Sequence, residues 1–295
     1  MNRPFLISLG ILAALILTAC AVEPPEKVAT LIARATLTSS TNTPAPTPTS
    51  TCLTEGGKTV QQKIRSSELG GNLTFTVYLP PCYDVQYPGG YPVLYLFHGQ
   101  NMDDTFWPSL GITTAADQAI QSGHAPFIMV FPYEVHNWDI PSDSHFGDAV
   151  VKELIPWLES TYTICPERQC QAIGGLSRGG GWAMHIALTN FEQFGSIGAH
   201  SFGYFSGDLY RVQNLLKQYT AADFPRIYID RGKDDYLRAN IDLYEQNLTS
   251  TGVAHEYVIN PGLHEKAYWQ SQVETYLDWY MQGFDAVSPS SSRSK

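Results

Sequence analysis

The chain has 295 residues, 43% of them hydrophobic and 16% charged, which is enough apolar material for a large core and argues against disorder. A net charge of −10 with no cluster of Lys and Arg argues against nucleic acid as a partner, because phosphate binding needs concentrated positive charge. A neutral or weakly charged molecule is the expected partner.

Residues 1–19 have a short basic start, an apolar run from Phe5 to Leu17 and a small-residue exit. That layout is a secretory signal, and the run falls short of the roughly 20 residues that span a bilayer. Leu17-Thr18-Ala19-Cys20 resembles a bacterial lipobox, so Cys20 is the expected lipidation site. An ordinary cleaved signal is the alternative. The lipid would be the chain's only membrane contact and would hold the protein on the outer face of a bacterial membrane. Residues 20–52 read as a linker, rich in Thr, Ser and Pro from Ala35 to Thr51, that spaces a catalytic domain at 53–283 from the surface. Residues 284–295 read as a disordered tail. The remaining cysteines, Cys52, Cys82, Cys165 and Cys170, form an even set suited to an exported protein, and pairing nearest neighbours joins Cys52 to Cys82 and Cys165 to Cys170. No C-x-x-C spacing calls for a metal.

Residues 59–66 and 73–79 read as two strands joined by Gly70-Gly71-Asn72, a hairpin signal. The apolar runs at 92–97, 127–131, 171–174, 226–229 and 256–259 suit strands buried on both faces of a sheet. Helical spacing appears in Val150, Val151, Leu154, Ile155 and Leu158, in Leu237, Ile241, Tyr244 and Leu248, and across 265–281. Pro156 should kink or split the first of these helices. Alternation of this kind predicts an α/β fold: a mostly parallel central sheet with an antiparallel N-terminal hairpin and helices on both faces. Chemistry in such sheets collects at the carboxyl ends of the strands.

Gly175-Leu176-Ser177-Arg178-Gly179 matches G-x-S-x-G between a short apolar strand and an apolar helix. In that setting the serine sits on a sharp turn with its hydroxyl pushed outward, and side chains at the flanking glycines would collide with the adjoining helix and strand. A serine hydroxyl needs a positioned base, and in this architecture the order is Ser, acid, His. His264 lies in a loop after a strand, whereas His255 lies within strand-like sequence, so His264 is the expected base. The acid should come from the loop after 226–230; Asp235 is favoured, Asp234 is the alternative, and Asp230 falls within the strand. The amides of Arg178 and Gln100 are the candidate oxyanion donors, each worth on the order of 3 kcal/mol of barrier. His98 would turn the Gln100 loop. Of the aromatics near these motifs (Phe106, Trp107, Trp138, Trp182, Tyr204 and Trp269), half at most should touch substrate, with Trp107 and Trp138 the better candidates because they lie in polar, loop-like stretches.

The segments YLFHGQ (95–100), FGDAVVKELIPWLESTY (146–162), CQAIGGLSRGGGWAMHIAL (170–188), GKDDYL (232–237) and PGLHEKAYW (261–269) resemble the esterase family of α/β hydrolases. That family includes feruloyl and acetyl-xylan esterases, S-formylglutathione hydrolase, enterochelin esterases and mycolyltransferases. The resemblance implies an α/β-hydrolase fold, a Ser177–His264–Asp235 triad, Gln100 and Arg178 amides as the oxyanion hole, and no cofactor. It also implies a serine carboxylic-ester hydrolase for small-molecule or polysaccharide esters, with acyl transfer to an alcohol, or general short-chain esterase activity, as the alternatives. Many relatives carry Met where this chain has Arg178, which alters the pocket wall and leaves the amide in place.

Overall fold

The computed structural model describes residues 51–286. The expected signal, Cys20, most of the linker and residues 287–295 lie outside them.

Eight strands form one sheet: β1 (Lys58–Ser66), β2 (Gly71–Leu79), β3 (Val93–Phe97), β4 (Ile128–Pro132), β5 (Gln171–Leu176), β6 (Ser196–His200), β7 (Arg226–Gly232) and β8 (Glu256–Asn260). Their order is β1-β2-β4-β3-β5-β6-β7-β8. β2 pairs antiparallel with β1 and β4, and every pairing from β4 to β8 is parallel. The hairpin turn sits earlier than the glycine pair suggests. Gly71 and Asn72 already pair with Ser66 and Arg65, while Gly70, at φ 60°, closes the turn onto the Ser67 carbonyl at 3.2 Å. The Glu153 carboxylate satisfies the Ser67 amide at 2.7 Å and the Glu68 amide at 3.2 Å, so the turn is held by a distant helix.

Strands β3, β4, β5 and β6 are buried along their whole length, so alternate residues feed two cores. Tyr95, Phe97, Val130, Ile173 and Ile229 belong to one core; Leu94, Leu96, Met129, Ala172 and Tyr228 belong to the other. Helices α1 (Ile112–Gln121), α2 (Ile155–Thr161), α3 (Arg178–Thr189), α4 (Arg238–Thr251) and α5 (Lys266–Asp285) cover the two faces, α2, α3 and α4 on the first core and α1 and α5 on the second. Pro156 does not break its helix. A π-helical turn over Val150–Leu154 precedes it, and this wider turn takes up both the missing N–H and the ring's clash with the preceding carbonyl. Helix α5 runs to Asp285, past the expected domain boundary at 283, because Phe284 is 1% exposed and belongs to the second core.

Cys52 is bonded to Cys82 and Cys165 to Cys170, with Cα separations of 5.2 and 5.9 Å. Among the described residues, no helix is long and apolar enough to cross a membrane.

Candidate active site

Strand β5 ends at Leu176 and α3 begins at Arg178, so Ser177 carries the whole reversal of the chain. It does so at φ 54°, ψ −122°, a conformation that a non-glycine residue holds only when its surroundings over-determine it. The Ser177 amide donates to the His200 carbonyl at 2.9 Å, and the amides of Gly180 and Gly203 donate to the Ser177 carbonyl at 3.1 Å. The flanking glycines permit this closeness. A Cβ on Gly175 would lie 2.4 Å from the Gly179 backbone, and one on Gly179 would lie 2.3 Å from the Phe97 carbonyl.

The loops after β7 and β8 bring the other two side chains to the same rim. They are tied backbone to backbone: the Lys233 amide donates to the Asn260 carbonyl at 2.7 Å, and the Asp234 amide donates to the Gly262 carbonyl at 3.0 Å. This leaves the Asp234 side chain exposed and turns Asp235 inward, where it is fully buried. His264 Nδ1 lies 3.0 and 3.1 Å from the two Asp235 carboxylate oxygens, and His264 Nε2 lies 2.9 Å from Ser177 Oγ. Burial pushes the Asp235 carboxyl up, but hydrogen bonds from His264, the Leu237 amide and Ser201 outweigh it and hold the group below its ordinary value. An ionised Asp235 makes Nδ1 the donor, leaving Nε2 free to accept the Ser177 proton.

Among the described residues the amides of Arg178 and Gln100 have no acceptor. The first lies in the opening turn of α3, where amides have no intrahelical partner, and the second lies in the loop after β3. The Gln100 side chain donates to the Asn137 carbonyl at 3.2 Å. His98 turns this loop as expected: its Nδ1 lies 2.7 Å from the Gly99 carbonyl, and its Nε2 accepts the Glu134 amide at 3.0 Å.

The aromatic expectations divide. Trp107, at 1% exposure, is not a pocket wall; it is core, and its indole N–H donates to the Phe97 carbonyl at 2.9 Å, steadying the end of β3. Trp182, also at 1%, is likewise packed inside, edge-on to Phe146 and Phe205. Trp269 is buried but meets the site, since its ring stands edge-on to His264 at 5.0 Å and fixes the imidazole from behind. Only Trp138 of the four expected tryptophans is open to solvent, at 73% exposure. Phe106 contacts Trp269, and Tyr204 packs on Tyr244.

Two residues near the site escaped the sequence reading. Tyr236, next to the acid and 70% exposed, lies 4.4 Å from the His264 ring. Glu134, 3% exposed, holds the Arg178 guanidinium with contacts of 2.6 and 2.8 Å. Its signal was an acid two residues after a buried strand, at the carboxyl end where chemistry gathers. A cleft of about 290 Å³ lined by Gly90, Pro92, Cys165 and Cys170 lies at the opposite, amino end of the parallel strands and is no part of this site.

A mostly parallel eight-stranded sheet, helices on both faces and a strained serine between a strand and a helix together define the α/β-hydrolase fold. The chain belongs to the family described as "Putative esterase", whose model matches residues 66–280. It is 29% identical over 221 residues to an endo-1,4-beta-xylanase/feruloyl esterase of Xylanibacter ruminicola, covering 68% of this chain and 29% of that protein. An esterase of Mycobacterium tuberculosis is 32% identical over 148 residues, 47% of this chain and 31% of its own length. The chain therefore spans under a third of these relatives. Among solved structures, a ferulic acid esterase superposes with a TM-score of 0.67 at 25% identity, covering 77% of this chain and 99% of that one. The feruloyl esterase module from Clostridium thermocellum complexed with sinapinate shares the fold, with a TM-score of 0.68 at 18% identity over 78% of this chain and 90% of that one. The two disulfides and the likeness to a xylanase-esterase fit an exported protein.

Proposed function

We propose that the chain is a serine carboxylic-ester hydrolase working through an acyl-enzyme on Ser177. The observation that carries this reading is the unbroken line from Ser177 Oγ to His264 Nε2 at 2.9 Å and from His264 Nδ1 to Asp235 at 3.0 Å. His264 takes the hydroxyl proton as Ser177 Oγ attacks the ester carbonyl, and the carbonyl oxygen becomes an oxyanion facing the Gln100 and Arg178 amides. The imidazolium, stabilised by Asp235, then protonates the leaving alcohol. Water enters on the same side, gives its proton to His264 and releases the acid.

For substrate, the reading is a feruloyl or acetyl ester of a polysaccharide. Its support is the naming of relatives as feruloyl esterase and, at 24% identity over 220 residues, as an acetyl esterase of Caldicellulosiruptor saccharolyticus. The exposed ring of Tyr236, 4.4 Å from His264, suits an aromatic acid or a sugar, as does exposed Trp138, whose neighbours Asn137 and Asp139 accept from the Gln100 and Arg178 side chains. A lipid on Cys20 and the Thr/Ser/Pro spacer would hold the enzyme at the outer membrane face, near such polymers.

The test is turnover of 4-nitrophenyl acetate, methyl ferulate and acetylated xylan by the wild type and Ser177→Ala. The variant should lose more than about 10⁴-fold in kcat. Full turnover by Ser177→Ala would remove the mechanism; cleavage of 4-nitrophenyl acetate alone would remove the substrate class.

A further inference from the structure

We propose that Glu134 is a positioning residue that sets the separation of the two oxyanion amides, reaching Arg178 through its carboxylate and the Gln100 loop through its own amide. The proposal rests on the reading of those amides given above.

Glu134 stands two residues past β4, on a segment that makes hydrogen bonds to both donor loops. Its carboxylate takes Arg178 as a fork, with Oε1 2.6 Å from Nη2 and Oε2 2.8 Å from Nε. Arg178 Nη2 also donates to the Asp139 carbonyl. The guanidinium lies over the rings of Phe205 and Trp182, at 5.3 and 5.8 Å, so it is fixed in plane as well as in distance. On the other side the Glu134 amide donates to His98 Nε2 at 3.0 Å, and His98 Nδ1 lies 2.7 Å from the Gly99 carbonyl. An amide can only donate and a carbonyl can only accept, so the ring is neutral with its proton on Nδ1. Burial, which pushes this ring below its ordinary 6.5, favours the same state. The Gln100 side chain is fastened to the same segment through the Asn137 carbonyl, at 3.2 Å. Beside the direct pairing of β3 with β5, residues 134–139 thus tie the Arg178 side chain to the Gln100 loop through hydrogen bonds to both.

Stability does not account for the pair. Burying two charges costs about as much as their attraction returns, and apolar side chains of similar volume commonly serve as well. A bidentate carboxylate–guanidinium pair supplies fixed direction, which apolar packing does not. Direction matters here because a donor displaced by about 1 Å can cost about 100-fold in rate.

The experiment uses the full chain and its Glu134→Gln, Arg178→Lys, Glu134→Leu/Arg178→Met and Ser177→Ala variants. It measures kcat and KM on 4-nitrophenyl acetate, the affinity for phenylboronic acid as a tetrahedral serine adduct, and the urea midpoint. Glu134→Gln and Arg178→Lys should lower kcat about 10- to 100-fold with KM within about twofold, and weaken boronate binding by the same factor. The double variant should regain stability without regaining kcat. Wild-type kcat in the folded single variants, or recovery of kcat together with stability in the double variant, overturns the proposal. Turnover by Ser177→Ala would instead overturn the reading on which it rests.

Discussion

Two buried acids near the site respond to burial in opposite ways. Asp235 sits below its ordinary carboxyl value because hydrogen bonds from His264, Leu237 and Ser201 overcome the burial penalty. Glu134 sits above its own, because burial outweighs what Arg178 returns. For Asp235 the consequence has a definite sign. A carboxyl whose folded value is depressed contributes stability that is fully present above its unfolded value, near 3.8, and is lost as pH falls through the folded value. Urea midpoints of the wild type and Asp235→Asn, followed from pH 7 to pH 2, should therefore converge below about pH 4. Parallel curves over that window would mean that the hydrogen bonds to Asp235 are not carrying the shift.

At the scale of elements, the packing of α5 on the sheet explains a strand with little sequence signal. β6 reads Ser-Ile-Gly-Ala-His, too small and polar for an apolar run, yet it is buried throughout. The reason lies in α5. A Cβ on Gly198 of β6, or on Gly174 of β5, would fall 1.8 Å from the Tyr280 hydroxyl, which reaches between the strands to within 3.1 Å of His200 Nε2. His200 Nδ1 lies 2.7 Å from Asp230, whose other oxygen accepts the hydroxyls of Tyr268 at 2.5 Å and Tyr276 at 2.8 Å. Burial and the Asp230 charge push both tyrosines well above the ordinary range, so they remain donors. The cluster satisfies a carboxylate that would otherwise be an unpaired buried charge. Gly198→Ala should destabilise the fold by about 1–3 kcal/mol through this overpacking, read as a lower urea midpoint. An unchanged midpoint would show that Tyr280 can withdraw without cost.

Across the whole molecule, the two disulfides close loops of different reach. Cys52–Cys82 ties the short helix before β1 to the end of the hairpin across 30 residues, while Cys165–Cys170 spans 5. In the chain-entropy account the first is worth about 3–4 kcal/mol and the second about 2 kcal/mol. Replacing Cys52 and Cys82 by alanine should lower the melting temperature more than replacing Cys165 and Cys170. The reverse order would place the stabilisation in native contacts around the short loop. Either result bears on a domain whose two cores share a single sheet, since β1, largely exposed, is the edge that the longer bond anchors.

The amino-acid sequence by itself determined the strands that are apolar along their length, the glycine-flanked turn at Ser177 and the Ser–acid–His order, because burial on both faces and a strained turn leave local marks. It also marked Cys52 with Cys82 and Cys165 with Cys170 by nearness alone. Only the tertiary structure set Asp235 rather than Asp234 against His264, because that placement depends on the β8 loop capturing the Asp234 backbone and turning the next residue inward. Only it showed Trp107 and Trp182 to be core, since a polar neighbourhood in sequence says nothing about which surface a ring meets once the chain folds back. The pairing of Glu134 with Arg178, and of His200 with Asp230, was likewise out of reach. A charged side chain carries its cost of burial in the sequence, but the partner that offsets that cost is chosen by how distant strands line up in the sheet.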